Sequence, residues 1–263
     1  MDISASSVSE INGVTKLENK IYVLCYRPNS IRVFEDKIPF HLLHKIKIKD
    51  VKNPYDIGSS ERSKCLYVSD EGNRCIWKIT ADDHRLTKLV TNIGEPFTLS
   101  VSSDDYLLIL RRNQPNNQLE TYRADGKLIR SISLPTDIKW SYHCIQKPTG
   151  EFVISHLDEK CRQYVISQLT DDGQNIIGRF QSNESSFYPL HLSLDYENNR
   201  LFAADYNKHK VSIIDSNSFQ LKQILLMKEK HGISHPLRFF YDSKKQQLIV
   251  GHSDDKATVY EII

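Results

Sequence analysis

The residues in this chain that could do chemistry begin with two histidines three apart, His41 and His44. On a strand, an odd offset turns side chains to opposite faces, so this pair does not converge on one metal ion. Lys45, Lys47 and Lys49 alternate with Ile46 and Ile48, which lines three ammonium groups along one strand face. That pattern fits a solvated outer strand guarded against edge pairing better than a phosphate-binding stripe. Asp70 and Asp205 close apolar runs and precede turn residues, so their carboxylates are expected to hold turn amides. A hard cation wants a full set of oxygen ligands. Asn12, Asn53 and Glu95 offer part of one, beside Trp140, Tyr188 and His235. No Gly-x-Ser-x-Gly turn and no phosphate-cradling glycine loop occurs. Catalysis is therefore not expected, nor is a cofactor or a metal.

What must position these side chains is a repeat. Six apolar cores echo one another, starting at Ile21, Leu66, Leu107, Phe152, Leu201 and Leu248, with spacings of 45, 41, 45, 49 and 47 residues. A period of 40–50 residues built from short strands marks a radial β array. In the second unit Pro54 opens a strand, Cys65 to Ser69 is the next, Asp70-Glu71-Gly72-Asn73 turns the chain, and Cys75 to Ile79 returns. A partly polar run, Leu86 to Val90, follows. Proline opens the corresponding strand at Pro96, Pro189 and Pro236, with Gly13 and Ser141 in the remaining two places. The expected fold is all-β: a single six-bladed β-propeller over residues 1–263. Its four-stranded antiparallel blades span about 10–48, 53–90, 95–134, 140–181, 188–226 and 235–263. The last unit lacks an outer strand, and Ile3–Val8 is expected to supply it and close the ring. Leu221 to Lys230 tolerates a helix but falls where a fourth strand and loop belong.

In such an array the loops that enter inner strands and those that join second to third strands share one face. The first set brings Tyr55, Phe97, Trp140, Tyr142, Tyr188, His191, His235 and Arg238, and the second brings Arg74, Arg111 and Arg112. Aromatic and arginine groups gathered on one face are the composition of an interface hot spot. At least half of these aromatics are expected to pack between blades.

The 263-residue chain is 39% hydrophobic and 26% charged, with a formal net charge of +2, too near neutral to imply nucleic acid or membrane binding by itself. No apolar run is long enough for a membrane helix. Five scattered cysteines, Cys25, Cys65, Cys75, Cys144 and Cys161, read as reduced thiols in a cytoplasmic, monomeric protein. Hairpin pairing should set Cys65 opposite Ile79 and Cys75 opposite Ser69, so the two are not bridged.

The run Leu66-Tyr67-Val68-Ser69-Asp70-Glu71-Gly72-Asn73-Arg74-Cys75-Ile76 resembles an NHL repeat, as does Leu201 to Val211. The other units keep the strands and replace the strand-end aspartate with Cys25, Arg111, His156 and His252. The resemblance implies a binding propeller. The first reading is a non-catalytic scaffold that presents one face to a protein or peptide. The alternative is single-stranded RNA binding, which some NHL propellers perform, with arginines on phosphates and aromatics under bases. A third reading is a metal-dependent six-bladed hydrolase or lactonase.

Overall fold

The computed structural model describes residues 2–4 (as backbone), 10–111, 117–184, 186–253 and 256–262. A short strand, β1 (Asp2–Ser4), comes first. Then follow β2 (Glu10–Leu17), β3 (Lys20–Tyr26), β4 (Ser30–Glu35) and β5 (Leu42–Lys47), which pair in that order as one sheet. The second sheet is β6 (Pro54–Ser60), β7 (Cys65–Asp70), β8 (Cys75–Thr80) and β9 (Leu86–Thr91). The third is β10 (Pro96–Val101), β11 (Leu107–Arg111), β12 (Gln118–Tyr122) and β13 (Leu128–Ser133), and the fourth is β14 (Ile138–Gln146), β15 (Phe152–Asp158), β16 (Gln163–Leu169) and β17 (Ile176–Gln181). The fifth is β18 (Pro189–Asp195), β19 (Arg200–Asp205), β20 (Lys210–Asp215) and β21 (Leu221–Met227). A single helical turn, α1 (Lys228–His231), leads to the last three strands, β22 (Pro236–Asp242), β23 (Gln247–His252) and β24 (Lys256–Glu261). The fold is all-β, a six-bladed propeller of four-stranded antiparallel blades whose last blade is formed by the three strands β22–β24, as the repeat predicts.

Burial follows strand position. Second strands are covered on both faces: every residue of β7 is buried, and β19 is buried apart from its first. Such strands read as unbroken apolar runs, which is why they carry the repeat signal. Fourth strands alternate weakly and stay largely exposed, as in β5, β13 and β17. Lys45 and Lys47 lie on β5 and Lys49 in the turn just beyond it, all three exposed, with Ile46 and Ile48 buried between them. This is the guarded outer strand expected.

The chain divides into two compact units, Met1–Leu99 with Leu237–Ile263, and Ser100–Pro236. In the first, Ile31, Val33, Ile46, Ile57, Leu66, Val68 and Trp77 form one apolar cluster between the first two blades. There a Cβ on Gly13 would lie 2.6 Å from Ile57 Cγ2, so only glycine admits the approach of β2 to β6. In the second, Ile145, Val153, Ile166, Phe180, Leu192 and Leu201 join the fourth and fifth blades.

Two details differ from the sequence expectation. Cys65 lies opposite Thr80 and Cys75 opposite Asp70. The turn holds four residues, Glu71–Arg74, so its centre falls half a residue beyond Gly72. None of the five cysteines forms a disulfide, and only Cys161 is exposed. The stretch from Leu221 is strand as expected, but Lys228–His231 ends it in a helical turn capped by Gly232 at φ 68°.

β1 pairs antiparallel with β24, with Asp2 opposite Thr258, Ile3 opposite Ala257 and Ser4 opposite Lys256. The closing strand was expected over Ile3–Val8, and residues 5–9 lie outside the described residues. If this pairing closes the last blade, deleting residues 1–9 should lower the melting temperature by about 2–4 °C for each kcal/mol lost. An unchanged melt by circular dichroism would refute a closing role.

Candidate binding surface

Inner strands carry a β-bulge near their start. The register slips between Ile11 and Gly13 in β2, Pro54 and Asp56 in β6, Lys139 and His143 in β14, and Pro189 and His191 in β18. A bulge leaves residues unpaired and re-aims their side chains. Asn12, Tyr55, Trp140, Tyr142 and Leu190 fall in these slips.

In the unit 100–236 the result is a chain of touching rings. Tyr142, Tyr164 and Tyr188 meet edge to face, with centroids 5.6 Å apart (142–164), 5.0 Å (142–188) and 4.7 Å (164–188). Edge-to-face contacts set the positive rim of one ring against the negative face of the next. The three hydroxyls join at Tyr142: its oxygen lies 2.9 Å from that of Tyr188 and 3.3 Å from that of Tyr164. Burial, then these bonds, push the Tyr142 phenol far above its ordinary pKa, so the hub stays neutral. The series continues through Tyr206, 6.3 Å from Tyr188, to His235 at 4.7 Å and His209, 3.9 Å beyond. His209 Nδ1 accepts the His235 backbone N–H at 3.0 Å. Tyr142 is buried, and the other five are half-buried. Trp140 stands in the bulge of the same strand, 51% exposed, at φ 39°. A cavity of about 200 Å³ beside the tyrosines is lined by Arg162, Gln163, Tyr164, Ser182, Glu184, Ser186 and Phe187.

Charge around these rings is largely spent within the fold. Glu184 pairs with Lys210 at 2.6 Å, Asp137 with Lys160 at 2.6 Å, and Asp158 with Arg179 at 2.8 Å. Arg111 pairs with buried Glu120. Exposed cations remain at Arg162 and Lys208.

In the other unit the candidates make a packed stack. Tyr55 lies 4.0 Å from Phe97, and the Arg238 guanidinium sits 5.3 Å above the Tyr55 ring. Arg238, 5% exposed, faces Asp56, 1% exposed, at 3.4 Å. Asp56 also accepts the Ile57 and Leu99 amides. Burial raises its carboxyl to about 6, against the opposing pull of the guanidinium and the two amides. Asn12 and Asn53, read as part of a cation set, spend their amides on Pro54 O at 2.6 Å and Glu71 at 2.5 Å.

The structure therefore divides the predicted face. Arg74 and Trp140 are exposed. Tyr55, Arg111, Tyr188 and His235 are half-buried. Phe97, Tyr142, His191 and Arg238 are buried. His191 packs on His143 at 3.9 Å. Arg112 lies outside the described residues. Tyr164 joins the rings although nothing in its sequence neighbourhood marks it, and Tyr206 follows the strand-end aspartate directly.

Asp70 accepts backbone N–H bonds from Lys52, Asn53 and Asn73, and side-chain bonds from Asn73 and Trp77. Asp205 accepts from Tyr188 N at 3.1 Å and Lys208 N at 3.2 Å. The turn-amide role holds for both, and each also ties down the start of its own inner strand. A third such aspartate, Asp158, ends β15 and accepts the Lys160 and Cys161 amides. It corrects the expectation that this blade had lost the residue: the strand runs two residues past His156.

No protein-family model matches the sequence, and no curated protein is similar to it. Solved structures do resemble the chain. Kuenenia stuttgartiensis hydrazine synthase is 15% identical over 95% of this chain and 83% of that one, with a TM-score of 0.68. A chain of the nidogen/laminin complex is 14% identical over 81% of this chain and 79% of that one, with a TM-score of 0.65. Virginiamycin B lyase from Staphylococcus aureus is 13% identical over 100% and 88%, with a TM-score of 0.64. The fold is a six-bladed β-propeller. At these identities the likeness concerns the fold alone.

The two aspartates predict opposite responses. Burial pulls the Asp70 carboxyl upward, but its hydrogen bonds outweigh that and hold it below the usual value. Its stabilisation is present above pH 4 and is lost as pH falls through the lowered pKa. Burial dominates at Asp205 and raises it, so the fold favours its neutral form and gains as pH falls through the raised pKa. Asp70→Asn, which turns an amide toward donors, should cost about 2–4 kcal/mol, whereas Asp205→Asn should stay within about 1 kcal/mol. Urea unfolding at pH 7 checks both, and equal losses would contradict this account.

Proposed function

We propose that the chain is a non-catalytic interaction platform built of NHL-like blades, and that the ring series of residues 142–235, with Trp140 beside it, receives a protein or peptide. The observation that carries this reading is the series itself. Six aromatic rings touch in sequence, five of them only half-buried, and an exposed tryptophan stands in the bulged strand that supplies Tyr142. Rigid aromatic groups offer large contact area at small entropic cost, and tryptophan and tyrosine dominate binding hot spots. The hydroxyl hub fixes three of the rings, so little order has to be gained on binding.

Electrostatics favours a peptide over RNA. Phosphate binding draws its affinity from free Lys and Arg groups. Here Arg111, Lys160, Arg179 and Lys210 already face carboxylates. The fold itself chooses neither role. Its neighbours include a chain of the nidogen/laminin complex, and also a lyase and a hydrazine synthase.

Selection of a random peptide library displayed on phage tests the reading. The full chain should enrich a peptide family whose binding falls at least tenfold in Trp140→Ala at unchanged melting temperature, and likewise in Tyr188→Ala assayed below that variant's own melting transition. Filter retention of a random single-stranded RNA should remain weak at 50 and 200 mM salt. Tight, salt-sensitive RNA retention abolished by Arg162→Ala with Lys208→Ala would overturn the proposal in favour of RNA.

A further inference from the structure

The His41–His44 pair does not converge: His41 is exposed and precedes β5, where it accepts the Glu35 amide through its carbonyl. His44 instead meets a residue from the next blade. It lies on β5 opposite Val33, at a break in register, and its ring centroid is 4.8 Å from that of His84, with the planes 44° apart. Both residues belong to the unit 1–99 with 237–263. His84 sits in the β8–β9 turn at φ 54°, where its amide donates to Thr80 O at 3.1 Å. Asp83 braces that turn by accepting the Thr80 hydroxyl and the Arg85 amide. Each of the two histidines has a buried Nε2 with no hydrogen-bond partner among the described residues. Each of these two ring nitrogens is thus buried and without a hydrogen-bond partner among the described residues, a costly arrangement unless something binds it.

We propose that His44 and His84 form a two-imidazole site for a first-row divalent cation of the zinc, copper or nickel class. Imidazole nitrogen suits these ions. The spacing fits. A zinc–imidazole bond of about 2.0–2.1 Å puts each ring centre about 3.2 Å from the ion, and two such centres roughly 4.5–5.2 Å apart for square to tetrahedral angles. Burial, then His44 and Lys20, hold the His84 imidazole below its ordinary pKa, against a smaller opposing pull from Asp83. Lys20 weakens the site and Asp83 strengthens it.

The test uses the full chain with Cu²⁺ and Zn²⁺. Electron paramagnetic resonance of the one-to-one copper complex should show coupling to two imidazole nitrogens. Copper should broaden, and zinc should shift, the ring resonances of His44 and His84 before those of other histidines. His84→Asn, which tolerates the left-handed turn, should remove one nitrogen, and His41→Ala should change nothing. The proposal is overturned if copper binds without affecting these two rings, if His84→Asn leaves two-nitrogen coupling intact, or if neither ion binds. The readout on the unaltered chain keeps the question answerable even where a variant fails to fold.

Discussion

A carboxylate buried at the end of a strand is tolerated only if enough donors surround it. In this propeller that requirement organises the blade. Asp70 ends β7, and its donors come from the incoming segment at Lys52 and Asn53, from the turn at Asn73, and from Trp77 on the next strand. One side chain thereby fixes where the inner strand begins, how the hairpin turns and how the third strand leans. The same device at Asp205 holds the Tyr188 amide. Tyr188 is one of the three rings that meet at the hydroxyl hub. The line from sequence to site therefore runs through a structural aspartate: strand end, anchored inner strand, bulge, aimed aromatic ring.

The repeats are not equal in how fully they satisfy that demand. In the fifth blade Lys208 stands where Asn73 stands in the second, and Ser212 where Trp77 stands. The Asn amide and the indole N–H are lost together. Asp205 keeps two backbone donors on Oδ1, and its Oδ2 is buried without a hydrogen-bond partner among the described residues. The opposite displacement of the two carboxyls from their ordinary pKa follows from that difference in donor number.

Much of the fold was legible because second strands are covered on both faces. Their unbroken apolar runs, ended by Asp, Gly and Asn, gave the period and the blade limits. The register of β7 with β8 was one residue off because a four-residue turn and a turn centred on Gly72 cannot be told apart by composition. The bulges left no mark, since Asn12, Tyr55 and Trp140 share no residue type. Part of the candidate surface was legible, because aromatic residues at inner-strand starts are visible as such. What was not legible was which of them would be covered. Arg238 is buried because Asp56, distant in sequence, meets it, and Arg111 turns inward because Glu120 lies across the hairpin. Tyr164 is the second residue of a third strand, in a place where other blades carry Ile31, Ile76 and Val211, so no repeat logic pointed to it.

The two aromatic groups differ in what their polar partners do, and the proposed binding role rests on that difference. Around Tyr55 and Phe97 a buried ion pair fills the polar space, and an ion pair of that kind resists rearrangement because separating it strands a charge. That stack is already occupied by the protein's own arginine. Around Tyr142, Tyr164 and Tyr188 the polar groups are phenol hydroxyls that bond one another at 2.9 and 3.3 Å. A hydroxyl both donates and accepts, so Tyr164 and Tyr188 can each take a further bond from a ligand without breaking the hub. Their rings stay partly open, and the cavity beside Tyr164 offers an exposed cation in Arg162, whereas Glu184 on its wall already pairs with Lys210. Open aromatic area and spare hydrogen-bonding capacity are what the proposed polypeptide ligand would use, since it brings amides and side chains. A polyanion would find few free cations there, because Lys160, Arg179 and Lys210 already face carboxylates.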